Sequence, residues 1–141
     1  MSKIARIASY PISVIYLLLF GLSLVIFDVL QRITLNLFGY KTHKTVVDLN
    51  NLVTVTLMRI LLGTKFEIKN LENIPTDRPS IIISNHQSMW EIPPSIWYLR
   101  KLHPKFVAKV ELAKGVPTIS YNLKHGGSVL IDRKDREQST Q

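Results

Sequence analysis

Between Arg6 and Asp28 lie 21 residues without a charge, Ile7 to Phe27. A helix needs about 20 such residues to cross the hydrocarbon core of a bilayer. The run therefore admits few fates: a membrane helix, a core helix, or a cleaved leader. Lys3 and Arg6 ahead of it suit a leader, but no small-x-small cleavage site comes after it. An uncleaved anchor is expected, with Pro11 tolerated in its first turn; a buried core helix is the alternative. Arg32, Lys41 and Lys44 lie after the run, against Lys3 and Arg6 before it. The positive-inside bias thus puts the C-terminal side of the run on the cytoplasmic face of an inner membrane.

Val29 to Phe38 stays largely apolar, so the first helix is expected to continue until Gly39 and Tyr40 end it. A second helix is expected from about Thr45 to Leu62. Its apolar positions Val46, Leu49, Val53, Leu57, Ile60 and Leu61 recur at helical spacing, and Gly63 stops it. Two apolar helices joined by a basic loop make either a membrane-seated hairpin, or one span and one helix packed on a domain. Both arrangements stay open.

Composition narrows the classes. At 46% hydrophobic and 20% charged, the chain is not a disordered one. The absence of Cys excludes a disulfide framework, a Cys nucleophile and a Cys-based zinc site. His43, His86, His103 and His125 show no metal-ligand spacing, so no metal is expected. The formal charge is +8, and Arg100 to Gln141 carries +5 of it. Such a balance favours anionic partners. Nucleic acid is not expected among them, since no recognised module is present and the apolar anchor argues against it.

After Gly63 the texture changes. Lys65 to Lys69 alternates polar and apolar residues like a half-buried strand, and Ser80-Ile81-Ile82-Ile83-Ser84 reads as a buried strand. A helix is expected after Pro93 and Pro94, a strand over Lys105–Lys109, and a helical turn over Glu111–Lys114. A helix over Ile119–His125 and a strand over Ser128–Ile131 complete the pattern. Strands and helices alternating at this spacing predict βαβ units and an α/β sheet.

Directly after the Ser80–Ser84 run stands Asn85-His86-Gln87-Ser88-Met89-Trp90-Glu91. Residues five apart on one helix point about 140° away from each other. A His in the strand-to-helix turn and a Glu in the next turn can nevertheless meet. Glu91 would then take one ring nitrogen and leave the other as a base. Residue types alone also allow a His satisfied by backbone and a Glu on a solvated face.

Three blocks together resemble the 1-acyl-glycerol-3-phosphate acyltransferase family, the lysophosphatidic acid acyltransferases. The family's N-H-x4-D is matched by Asn85, His86 and, with a substitution, Glu91. Its Lys-x-Glu-Leu segment ahead of a proline is matched by Lys109-Val110-Glu111-Leu112 and Pro117. Its Gly-x-hydrophobic-x-hydrophobic-Asp-Arg strand is matched by Gly127 to Arg133. The family's Phe-Pro-Glu-Gly-Thr-Arg block, which helps bind the glycerol phosphate, does not occur in these 141 residues.

The resemblance implies an α/β fold: a glycerolipid acyltransferase-like mixed sheet flanked by helices, preceded by apolar N-terminal membrane helices. Residues 1–63 would be the anchoring helices and 64–141 the first, incomplete part of the acyltransferase domain. It implies transfer of a fatty acyl group from acyl-CoA or acyl-carrier protein to the free hydroxyl of lysophosphatidic acid, at a membrane and without a cofactor. By resemblance His86 is the general base and Glu91 its orienting partner. Arg133 would bind the acceptor's phosphate, Gly127 would admit a close backbone approach, and Lys109 would meet phosphate or the donor. Asn85 would lie at the substrate. Trp90 and Trp97 would line the acyl path, rest at the membrane interface, or fill the core. The alternatives are an acyltransferase for glycerol-3-phosphate or another lysophospholipid, and a non-catalytic membrane-associated fragment. With the glycerol-phosphate block missing, this chain alone is expected to show little or no turnover.

Overall fold

Gly39 divides the N-terminal half into two helices. In the computed structural model, which describes residues 3–132, 134 and 135, α1 runs over Lys3–Phe38 and α2 over Tyr40–Leu61. Gly39 has φ 79° and ψ −178°, a region that essentially only glycine occupies. The chain reverses in this one residue and α2 packs back along α1. The second helix therefore starts earlier than Thr45, because the break lies at Gly39 and the basic residues after it are already helical. Ser9–Phe38 is long and apolar enough to cross a membrane.

The hairpin buries polar side chains among apolar ones, Val46, Val47, Val55 and Met58 of α2 included, and leaves the outer face of α1 apolar. Its buried stripe is Tyr16, Ser23 and Gln31 on α1 with His43, Asn50, Asn51, Thr54 and neighbours on α2, at helical spacing. Several of these polar groups bond to their own helix: Ser23 Oγ donates to Phe20 O at 2.7 Å, Asn51 Nδ2 to Val47 O at 2.8 Å, and Thr54 Oγ1 to Asn50 O at 3.0 Å. The outer face of α1, from Tyr10 and Val14 through Leu18, Leu22, Val25 and Val29 to Leu37, is exposed. A helix in water turns its apolar face inward; this one does the reverse.

The remaining elements form one small α/β unit. β1 (Val107–Lys109) runs into a 3-10 turn (Val110–Ala113) and α4 (Ile119–His125), and β2 (Val129–Ile131) returns parallel to β1. Val107 pairs with Val129 and Lys109 with Ile131. α3 (Ile92–Tyr98) packs against α2.

The strands expected over Lys65–Lys69 and Ser80–Ser84 are not formed; among the described residues only β1 and β2 pair. Ile81 and Ile83 are 93% and 92% exposed. A β-branched run favours extended backbone, but a strand needs a neighbour to take its N–H and C=O groups and to cover its side chains. No described segment does either, so the expected burial of this run is also overturned.

α1 holds the α/β unit at two places. Near its start, Tyr16 and Phe20 meet the Trp90 ring edge-on at centroid distances of 5.3 and 5.2 Å. Further along, Asp28 Oδ1 accepts the Thr118 N–H at 2.7 Å while Oδ2 pairs with Arg32 Nε at 2.8 Å. Gln31 Nε2 also donates to Thr118 Oγ1, and the Arg32 guanidinium lies 4.6 Å over the Tyr121 ring. Thr118 precedes α4 with φ 59°, a strained value for a β-branched residue, and these bonds from α1 hold it there.

His43, in the first turn of α2, is 1% exposed, and neither ring nitrogen has a partner of ordinary hydrogen-bond geometry. Burial pushes its pKa below 6.5, offset only in part by the nearby Gln31 carbonyl and Asn122 side chain. His103 is pushed down in the same direction, first by burial and then by Lys105 and Lys44. A base with a depressed folded pKa gives stability that is complete above the unfolded value and lost as pH falls below it, because the unfolded chain takes up the proton first. The thermal midpoint of the detergent-solubilised protein should therefore drop as pH falls from about 7 to about 5. His43→Gln should flatten that slope, leaving the share that belongs to His103; an unchanged slope would remove His43 from this account.

Candidate functional site

Local backbone bonding sets the position of Glu91. Ser88 Oγ accepts the Trp90 N–H at 3.3 Å, and the Glu91 N–H reaches Ser88 O at 3.2 Å, closing a 3-10 turn over Met89–Glu91. Ser95 Oγ donates to Glu91 O at 2.7 Å from the next turn. Pro93 and Pro94 lie in the first turn of α3, where a missing N–H leaves no helix bond broken. Glu91 is thus held on both sides, and the Trp90 ring between Tyr16 and Phe20 fixes the turn to α1.

The carboxylate folds back over Gln87. Both of its oxygens accept from the Gln87 N–H at 3.1 Å, and Oε2 lies 3.1 Å from His86 Nδ1. An ionised carboxylate only accepts, so Nδ1 carries the proton in this contact and Nε2 of the neutral ring keeps its lone pair. Nε2 has no partner among the described residues. The His86 and Glu91 side chains are 57% and 40% exposed. The arrangement orients the His86 ring through Nδ1 and leaves Nε2 without a described partner on an exposed side chain.

The other expected site residues are not joined to this pair. Asn85 is exposed beside it. Lys109, exposed at the C-terminal end of β1, is paired in register with Ile131; Gly127 precedes the start of β2. In a parallel pair these positions fall at opposite ends, and no described bond links either to His86. Gly127 has φ 82°, and an added Cβ would be 3.4 Å from the Lys105 side chain. A positive φ of this size favours glycine at the turn into β2. Arg133 lies outside the described residues. Trp97 carries the Arg100 guanidinium at 4.0 Å.

Sequence reasoning missed the cluster around the Gly126 carbonyl. Tyr40 Oη donates to that oxygen at 2.9 Å and lies 3.0 Å from His103 Nε2, while Lys105 Nζ bonds to both Tyr40 Oη and Gly126 O. The adjoining cavity is small, about 30 Å³. Among the described residues no group of three His, Asp or Glu side chains is placed to hold a metal ion.

Residues 65–141 match the family model described as Acyltransferase. The chain is also similar to the 1-acyl-sn-glycerol-3-phosphate acyltransferase of Pseudomonas aeruginosa, 46% identical over 37 residues. That stretch is 26% of this chain and 14% of the relative's length. No solved structure matches the chain.

Proposed function

Because the chain belongs to the acyltransferase family, we propose that it supplies the base and its orienting carboxylate for acyl transfer from a thioester to the free hydroxyl of 1-acyl-glycerol-3-phosphate, yielding phosphatidic acid. The single observation behind this reading is the 3.1 Å contact from His86 Nδ1 to Glu91 Oε2 with Nε2 open. A hydroxyl is a poor nucleophile until its proton is taken in the transition state. Nε2 takes that proton as the hydroxyl oxygen attacks the thioester carbonyl, and the resulting imidazolium is stabilised by Glu91. Collapse expels the thiolate of acyl-CoA or acyl-carrier protein, which recovers the proton. The substrate hydroxyl stands where a serine would stand in a triad. Lys109 and Arg133 are the residues proposed for anionic groups of acceptor and donor.

The hairpin is proposed to meet lipid along the outer face of α1. The contacts at Tyr16 and Arg32 are sixteen residues apart, about 24 Å along the helix. A helix that spans a bilayer alone cannot carry a polar unit over that length. Lying in the membrane interface, α1 turns its apolar face to the acyl chains and its other side to the α/β unit.

A second reading, a membrane-associated non-catalytic chain, is favoured by the exposure of His86 and Glu91 and by the separation of Lys109 from Gly127. Membranes from cells expressing the protein from its own gene separate the two. With lysophosphatidic acid and an acyl thioester, phosphatidic acid should form, and Glu91→Gln should slow it about tenfold, the worth of one solvent-exposed hydrogen bond. No product above control membranes would establish the second reading. Product formation indifferent to Glu91→Gln would remove the pair from the mechanism.

A further inference from the structure

A cleft of about 380 Å³ lies between α1, the 3-10 turn after β1, and α4, lined by Arg32, Lys114, Ser120, Tyr121, Lys124 and His125. Among the described residues no carboxylate lines it. The Tyr121 ring is buried and forms the floor, with the Arg32 guanidinium 4.6 Å above it and the His125 ring 4.4 Å away. Arg32 is ion-paired to Asp28, whose second oxygen is taken by the Thr118 N–H, so its head group is positioned rather than loose. Lys114 and Lys124 are exposed and have no acidic partner among the described residues. Ser120 Oγ already bridges the Val116 N–H and Leu112 O. The cleft therefore presents two unopposed ammonium groups and a fixed guanidinium around one volume.

We propose that this cleft binds the phosphate of an anionic phospholipid headgroup, at a place separate from His86. Cations around a concave volume without carboxylates select an anion. Continuity with the apolar face selects a lipid: Val29 and Ile33, exposed beside Arg32 on α1, carry the outer face of the hairpin up to the rim. A headgroup in the cleft leaves its acyl chains on that face. The inference rests on the reading that the hairpin meets lipid, and the test keeps the two apart.

The full chain is offered to phosphatidylcholine vesicles with and without phosphatidylglycerol, and bound protein is measured by flotation. Tighter binding to the anionic vesicles is expected. A basic residue near an anionic surface adds about fivefold to binding. The double variant Lys114→Gln/Lys124→Gln should thus lose about 25-fold of its preference for anionic vesicles, with binding to neutral vesicles unchanged. The control Lys65→Gln/Lys101→Gln removes the same charge elsewhere and should keep the preference. Equal losses in both pairs, or none in the first, would overturn the proposal. So would a Lys114- and Lys124-dependent binding of inorganic phosphate or of an acidic carrier protein without any vesicle preference. Binding to no vesicle at all would defeat the hairpin reading and this one with it; binding to neutral vesicles without an anionic gain would defeat this one alone.

Discussion

Replacing His86 by alanine is expected to lower the rate of phosphatidic acid formation by about 100- to 10,000-fold, the usual contribution of a positioned general base. The expectation comes from where the proton must go. The acceptor hydroxyl cannot lose its proton to water cheaply at neutral pH, and Nε2 of His86 is the ring nitrogen left open once Glu91 holds Nδ1. The loss should fall on kcat more than on KM, because the imidazole acts on the proton in flight and does not hold the acceptor. Folding should be spared: the side chain is 57% exposed, and its described bond is to Glu91 alone. Rates in the same membranes, normalised to the amount of protein, decide the matter. An undiminished rate would end the proposed mechanism.

Gly126→Ala should destabilise the fold by about 1–3 kcal/mol, the range for an overpacked site. A Cβ at this position would stand 2.4 Å from both the Asn122 backbone oxygen and its side-chain oxygen. The backbone oxygen belongs to α4 and cannot swing away, and the Gly126 N–H is bonded to it at 2.6 Å. Relief requires moving Gly126, whose own carbonyl is the acceptor for Tyr40 and Lys105. The clash therefore reaches from α4 to the start of α2. Thermal or denaturant unfolding of the detergent-solubilised protein measures the shift. A midpoint equal to that of the parent would show that α4 can open at its end without loss.

Much of this was legible in the residues. The uncharged run, Gly39 and the helical spacing after it specify the hairpin, because periodicity and a glycine break are local signals. Positions 107–109, 119–125 and 129–131 were legible for the same reason. The pairing of His86 with Glu91 was open to inference from spacing alone, although spacing did not show that Ser88 and Ser95 would fix the turn. Ile81 to Ile83 misled. Their local preference is for strand, yet strand formation depends on a partner that no spacing rule names. The role of Asp28, Gln31 and Arg32 was equally hidden. In the sequence they end an apolar run; in the fold Asp28 and Gln31 hold Thr118 and Arg32 covers the Tyr121 ring, some ninety residues away. The sign that could have revealed them is polarity on one face of a helix whose other face stays apolar.

The two attachments of α1 carry a practical consequence. A terminal anchor is ordinarily a tether, and cutting it frees a soluble catalytic piece. Here the helix is a wall of the unit it carries. Removing residues 1–63 would strip the Trp90 ring of Tyr16 and Phe20 and leave Thr118 without Asp28 and Gln31 in the same stroke. Trimming the N-terminus is therefore the wrong route to a soluble form of this protein. Repainting the outer face of α1 with polar residues, which leaves Tyr16, Phe20, Asp28 and Gln31 in place, is the route the architecture permits.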